Sequence, residues 1–503
     1  MKFLLAFSVL AANVSCSGFT NLTWKLTRYA RIEGNLLIVD VPKDKAKEGG
    51  AGRARVDMSA FSGECYSAHI NASAENISEP ETKWGGMKFM FHYKDQETGK
   101  EAWINSPIRL ARDFPLQTVT VSDLNYGRKL DWADLVLGLE GSSGRVVFDL
   151  STLAVDRQDT FFPKVNQEYR VAYPEQTKNR LPLRGVMLPT GPCTEDDFRT
   201  LHEWGATLAR YQMTRYFGRI GMNRDIEDYD RWLEGKLDHL EHDILPWAAK
   251  YGVKIVVDLH SPPGGREPDK DWTMYYDEKY AKHFIECWRK IATRFKRRPE
   301  IYGFDLVNEP MQRKPASCDY WTIQKTAAEV VRQIDPDTPI IIESNMGDSA
   351  SAFAYLSPLA MDNVIYQVHM YAPLEFTHQQ LPWAGYQGKC AYPDKNRGWG
   401  IEFIRDKLRP VREFEKAHGA RIYVGEFSAA SFAEGAVQYI ADCIAVFEEY
   451  GWDWTYHAFR EDKTWSVEHE PDGEPGEGGR RKFKLSDDNP RKRVLLKGLK
   501  SDL

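Results

Sequence analysis

From Leu183 onward, short apolar runs of strand type alternate with longer runs of helical spacing, and a chain built this way must cover both faces of every strand. The candidate strands are Leu183–Leu188, Thr207–Arg210, Val253–His260, Ile301–Asn308, Pro339–Glu343, Val364–Met370, Ile422–Glu426 and Trp452–Tyr456. Between the second and third, Trp232, Leu233, Leu237, Leu240, Ile244 and Leu245 recur at helical spacing until Gly252 supplies a stop, and Ala281–Phe295 and Trp321–Ile334 behave similarly. Strands alternating with helices in this number close on themselves, so the reading is an α/β fold, a (β/α)8 TIM barrel over residues 181–503. Chemistry in such a barrel belongs to the C-terminal ends of the strands.

Two of those ends are acids. Apolar residues run straight into Glu309 in Ile301-Tyr-Gly-Phe-Asp-Leu-Val-Asn-Glu-Pro310, and into Glu426 in Arg421-Ile-Tyr-Val-Gly-Glu426. A buried carboxylate costs several kcal/mol unless it is paired or used. Two of them on rigid strand ends, one protonated and one ionised, are what cleavage of a glycosidic bond requires. Either acid alone would serve equally well as a helix cap or an arginine partner.

The residues around them resemble those of glycoside hydrolase family 5, the cellulase-like family. Asn308-Glu309-Pro310 after Gly303–Val307 resembles the family signature, and Arg210, His260, His369 and Tyr371 occur in the family's order, over a span of roughly residues 180 to 500. The resemblance implies a retaining mechanism with Glu309 as acid/base and Glu426 as nucleophile. It also implies a tryptophan at the end of the eighth strand, beneath the attacked sugar. In Gly451-Trp-Asp-Trp-Thr-Tyr-His-Ala-Phe-Arg-Glu461 both Trp454 and His457 suit that place, and Trp454 is preferred.

Each residue then has a physical task. A guanidinium at Arg210 would aim the Glu426 carboxylate and keep it ionised. Glu309 must hold a proton, which a less polar setting and the charge of Glu426 favour; once Glu426 becomes an ester that charge is gone, and Glu309 can act as base. Asn308 is placed for the sugar 2-hydroxyl, Tyr371 for a hydrogen bond to Glu426, and His260 and His369 for sugar hydroxyls or for orienting the acids. Trp272, Trp383, Trp399 and Trp465 follow candidate strands three, six and eight, where they would floor further subsites or pack loops.

At 503 residues the chain exceeds one core, and residues 19–155 have a different pattern. Gly85–Tyr93, Gln117–Val121 and Arg145–Leu150 alternate apolar and polar residues between glycine-marked breaks, which favours a β-sandwich. Trp132–Phe148 broadly resembles the later strands of a carbohydrate-binding module. Trp84, Tyr93, Trp103, Tyr126 and Trp132 offer a stacking platform or core packing, and a structural or accessory role is favoured. Residues 156–180, with Pro163 and Pro174, read as a surface linker.

Residues 1–18 read as a signal peptide, with Cys16 a faint lipoprotein signal, and no later run is long and apolar enough to cross a bilayer. The expectation is a secreted or periplasmic protein. Seven cysteines occur without C-x-x-C spacing, which speaks against zinc; Cys287 and Cys443 suit buried helix faces, and Cys318 with Cys390 is a candidate disulfide. Sixty-seven basic against 73 acidic side chains leave no excess for a nucleic acid. No Gly-x-Ser-x-Gly elbow, Walker loop or dinucleotide fingerprint is present, and His239 and His242 lack a third ligand. The reading is a cofactor-free, monomeric, retaining β-glycosidase of poly- or oligosaccharides, with a β-1,4-glucan first among substrates. A β-mannanase, an exo-acting β-glycosidase and a non-catalytic polysaccharide-binding barrel are its alternatives.

Overall fold

The computed structural model describes residues 8–10 and 22–500, apart from 58–65, 81–84, 96–100, 107–112, 124–129, 158–163, 178–179, 217, 269, 314–315, 382–383, 385, 387 and 474–480. The chain divides into two compact units: residues 1–163 with 266–271 and 312–316, and the remainder.

The first unit is a β-sandwich of two antiparallel sheets. One orders Ser8–Leu10, Trp24–Leu26, Gly50–Val56, Leu130–Glu140, Gly86–Asp95 and Glu101–Asn105; the other orders Ala30–Glu33, Leu36–Val41, Gly144–Arg157, Tyr66–Glu75 and Phe114–Asp123. Alternate residues of each strand face inward, so Leu135, Leu137 and Leu139 of one sheet share a core with Val146, Phe148 and Leu150 of the other. Ser8–Leu10, inside the expected leader, pairs with Trp24–Leu26, while Cys16 lies outside the described residues. Of the proposed platform aromatics, Tyr93 is core, Trp103 is 58% exposed and stacked on His92, and Trp132 meets the same imidazole edge-on. Trp84 and Tyr126 lie outside the described residues.

The second unit contains the closed barrel of eight strands in sequence order: β1 (Arg184–Met187), β2 (Leu208–Gln212), β3 (Lys254–Asp258), β4 (Ile301–Asp305), β5 (Ile340–Glu343), β6 (Val364–Met370), β7 (Arg421–Phe427) and β8 (Asp453–Tyr456), which returns to β1. All pairings are parallel. Part of the stretch read as linker is fastened to this unit: Val171 N–H donates to His418 O at 2.8 Å, and the Tyr173 hydroxyl sits between Val364 O and Arg421 N, at 2.6 Å from each. Cys318 and Cys390 are free thiols, which corrects the disulfide expectation; the Cys390 thiol faces Glu375 O at 3.1 Å instead. No helix among the described residues is long and apolar enough to cross a membrane.

The barrel interior is layered. Leu208, Val256, Tyr302, Ile341, Ile365 and Tyr423, one from each of six neighbouring strands, form a single apolar cluster. Strand side chains repeat every two residues, so the next interior layer starts two positions further along. In β2, β3, β5 and β6 those positions hold Arg210, Asp258, Glu343 and Gln367, all buried. The fold therefore carries an apolar plug with a charged layer directly above it, on the side where the strands end.

Candidate active site

Arg210 is the centre of the charged layer and is fully buried. Its guanidinium donates from Nη1 to Glu426 Oε1 at 2.8 Å, from Nη2 to Glu343 Oε1 at 2.8 Å and Asn308 Oδ1 at 3.1 Å, and from Nε to Asp305 Oδ2 at 3.0 Å. Asp258 Oδ2 lies 3.2 Å from Nη2. One cation thus faces four buried carboxylates, which fixes its planar fork in a single orientation.

The next layer outward holds the two candidate catalytic acids. His260, two residues past Asp258, donates Nδ1–H to Asp258 Oδ2 at 2.8 Å. His369, two past Gln367, has Nδ1 at 3.3 Å from Glu309 Oε1 and 3.8 Å from Glu426 Oε2. One carboxyl oxygen of each acid and a ring nitrogen of His369 all lie within 4.8 Å of one another. The Tyr371 hydroxyl donates to Glu426 Oε2 at 2.9 Å. Asn308 gives its carbonyl to Arg210 and leaves its buried Nδ2 without a protein partner. Two local irregularities aim the acids. A shift in the β6–β7 register after Gly425 sets Glu426 beside His369, and Glu309, just past β4, takes the left-handed conformation at φ 46°.

The two acids sit in different surroundings. The Glu426 side chain is 7% exposed; burial alone would raise its pKa, but His369, His457, Arg210 and His260 together hold it well below the usual carboxylate range. Glu309 is the more open, at 25%. Burial works against a charge on His369, yet Glu426, the hydrogen bond to Glu309 and Asp348 raise it to about 9. Burial raises Asp305 to about 6 against the pull of Arg210.

Both raised groups hold more protons folded than unfolded. The stabilisation from imidazolium His369 is complete below its unfolded value near 6.5 and is lost as pH rises through about 9. The Asp305 penalty grows between about 4 and 6 and persists above. The barrel's thermal transition is therefore expected to fall as pH is raised from 6.5 to 9, by an amount reflecting about 3 kcal/mol for a 2.5-unit shift. Scanning calorimetry of wild type and His369→Gln checks this: the variant should lose most of that slope, and equal slopes would refute the assignment.

Trp454 is not at the site. It lies on the outer face of β8, fully buried, with Nε1–H donated to Glu448 Oε1 at 2.8 Å and its ring against Phe427. The next residue, Thr455, points inward, its hydroxyl donating to Gly425 O at 2.6 Å, so strand alternation excludes Trp454 from the cleft. His457, just past β8, is the residue of this segment that faces the candidate site. Its ring lies 6.1 Å from that of Tyr371, its Nε2 3.1 Å from Glu461 Oε2, and Trp465 packs 5.6 Å away. His378 completes this wall at 5.2 Å from Trp465, and burial with His457 nearby lowers its pKa to about 4. Of the other tryptophans, Trp272 is buried and donates Nε1–H to the Glu309 carbonyl at 3.0 Å, Trp399 lies beneath Arg397, and Trp383 is outside the described residues.

Sequence reasoning missed Asp258, Asp305, Glu343, Gln367, His378 and Glu461. Three of these carried a readable signal: Val-Val-Asp258, Gly-Phe-Asp305 and Ile-Ile-Glu343 are also apolar runs ending in an acid.

A closed barrel with two carboxyl groups, one buried and one partly open, facing each other over its C-terminal end is the arrangement of a glycoside hydrolase. A sequence profile of the cellulase family, glycosyl hydrolase family 5, matches residues 174–463, and the chain belongs to that family. It is 27% identical over 294 residues to endoglucanase C of Acetivibrio thermocellus, covering 52% of this chain and 83% of that protein. Cellodextrinase A of Ruminococcus flavefaciens is 25% identical over 271 residues, covering 51% and 75%. Among solved structures, Cel5A of Thermotoga maritima with cellobiose is 22% identical, with a TM-score of 0.46 over 64% of this chain and 98% of that one.

Proposed function

We propose that this protein is a retaining β-glycosidase of β-1,4-glucans, with Glu426 as nucleophile and Glu309 as acid/base. The observation that carries the reading is the approach of the two carboxyl groups to within 4.8 Å across His369. An approach this close suits direct attack by one acid while the other serves the leaving group, as in a retaining enzyme.

In the first step a Glu426 oxygen bonds to the anomeric carbon, the glycosidic C–O bond breaks, and the Glu309 proton goes to the departing oxygen. In the second, Glu309 removes a proton from water as the water oxygen displaces Glu426 and the ester bond breaks. Asn308 Nδ2 is the donor for the sugar 2-hydroxyl, a contact that strengthens at the transition state. His457 and Trp465 supply the surface beside the attacked ring. The glucan preference rests on the names of relatives, an endoglucanase and a cellodextrinase. Residues 1–18 as an export signal, residues 19–155 as an accessory sandwich, and a monomeric state belong to the same proposal.

Reducing-end release from glucan, mannan and xylan tests it. The wild type should be most active on β-1,4-glucan, and Glu309→Gln should lower that rate by about 10²–10⁴-fold. A wild type inert on all three, yet retained by one, would establish the non-catalytic alternative; preference for mannan would move the substrate assignment.

A further inference from the structure

Glu343 closes β5, is fully buried, and its side-chain hydrogen bonds lead toward both proposed catalytic acids. Its Oε2 accepts the backbone N–H of Glu309 at 2.6 Å. Its Oε1 accepts Arg210 Nη2 at 2.8 Å, and Arg210 in turn holds Glu426. The same oxygen accepts Gln367 Nε2, which also reaches His369 Nε2 at 3.2 Å, and His369 Nδ1 faces the Glu309 carboxyl at 3.3 Å. One side chain therefore touches the backbone of one acid directly and reaches the other acid through one intermediary, Arg210.

The support behind Glu343 is equally specific. Gln324, buried in the helix Tyr320–Ile334, accepts the Glu343 N–H at 3.1 Å and donates to the Glu343 carbonyl at 3.0 Å. A single amide thus clamps both backbone polar groups of the residue that ends the strand. The need for a clamp is visible at Glu309, whose φ of 46° is one that non-glycine residues hold only when their surroundings impose it. An N–H anchored on a buried carboxyl oxygen is such an imposition, because the other oxygen of the same group is held by Arg210 and the acceptor cannot follow the backbone elsewhere.

We infer that Glu343 is a positioning residue for the acid/base: by holding the Glu309 backbone and sharing Arg210 with Glu426, it fixes where the proton is delivered to the leaving oxygen. This deepens the proposed function and rests on Glu309 being the proton donor. An ångström of misplacement is enough to lower a rate about 10²-fold. The loss should appear only where protonation of the leaving group matters.

Glu343→Gln keeps the shape, and Arg210 retains three carboxylate partners, so the variant is expected to fold. Its amide cannot accept from both Glu309 N–H and the Arg210–Gln367 pair, since one end of it is now a donor. The test compares kcat/KM on an unactivated β-oligosaccharide with that on the 2,4-dinitrophenyl β-glycoside of the same sugar, whose leaving group departs without a proton. For Glu343→Gln the first should fall about 10²-fold and the second less than about fivefold, with an unchanged near-UV circular dichroism spectrum. Gln324→Met, which removes the clamp but no charge, should show the same asymmetry at about tenfold. Equal losses on both substrates would mean a structural role or damage at the nucleophile, and no loss on either would mean Glu309 is held without Glu343; each overturns the inference. A wild type inert on both substrates would overturn the proposed function itself.

Discussion

Glu426→Gln is expected to lower turnover on the best polysaccharide by about 10⁵-fold while changing its binding by less than about threefold, because it removes the attacking oxygen and little of the surrounding site. The amide is nearly isosteric. The amide's one carbonyl can stay with Arg210, which also keeps Asp258, Asp305 and Glu343, while the Tyr371 hydroxyl turns to accept from the amide N–H, so the wall of His378, His457 and Trp465 has no reason to move. The loss should extend to dinitrophenyl glycosides, because leaving-group activation cannot replace a missing nucleophile. That separates Glu426 from Glu309 and Glu343, whose variants should retain most activity on such substrates. Initial rates with both substrate types, and calorimetric binding of an oligosaccharide, check the prediction. Retention of more than about a hundredth of wild-type activity would move the nucleophile elsewhere.

Glu309 and Glu426 stood out in the sequence as acids at the close of apolar runs, and the fold brings their carboxyl groups together beside His369. The same criterion, applied to every strand, would have found Asp258, Asp305 and Glu343, which make the layer that holds the acids in place. Trp454 shows the limit of counting along a strand. The segment Trp452–Tyr456 could be entered in either phase, and only the inward Thr455, meeting Gly425 O, settles which residues face the cleft. The two register shifts were beyond reach for a related reason. That between Ile255 and Val256 displaces the β3–β4 pairing by one residue, and that after Val368 skips Gly425; both arise from contacts between strands far apart in the chain. A Cβ at Gly425 would lie 2.4 Å from the Gln367 amide carbon, so the glycine that permits the second shift is fitted to a residue on another strand. His457 was legible only as one of two options, and its companions His378 and Glu461 come from loops whose course follows no period.

Arg210→Met should be the most destabilising single change in the barrel. Arg210 has no solvent exposure and touches Asp258, Asp305, Glu343 and Glu426, of which three have fully buried side chains and the fourth is 7% exposed. Methionine fills much of the volume but leaves that negative charge without its cation, and removing one partner from a buried ionic cluster costs about 3–5 kcal/mol. The sign of the pH dependence follows from the same arrangement. Arg210 is among the groups that hold Glu426 down and oppose the rise of Asp305, so without it these folded-state pKa values move upward. A carboxyl whose folded pKa exceeds its unfolded value near 4 costs stability above that range and ceases to cost it once protonated in both states. The deficit of Arg210→Met relative to wild type should therefore be largest at pH 8 and should shrink as pH falls toward 5. Calorimetric transitions of the barrel at the two pH values decide it. A deficit independent of pH would mean that Arg210 stabilises by packing, and that the four carboxylates do not depend on its charge.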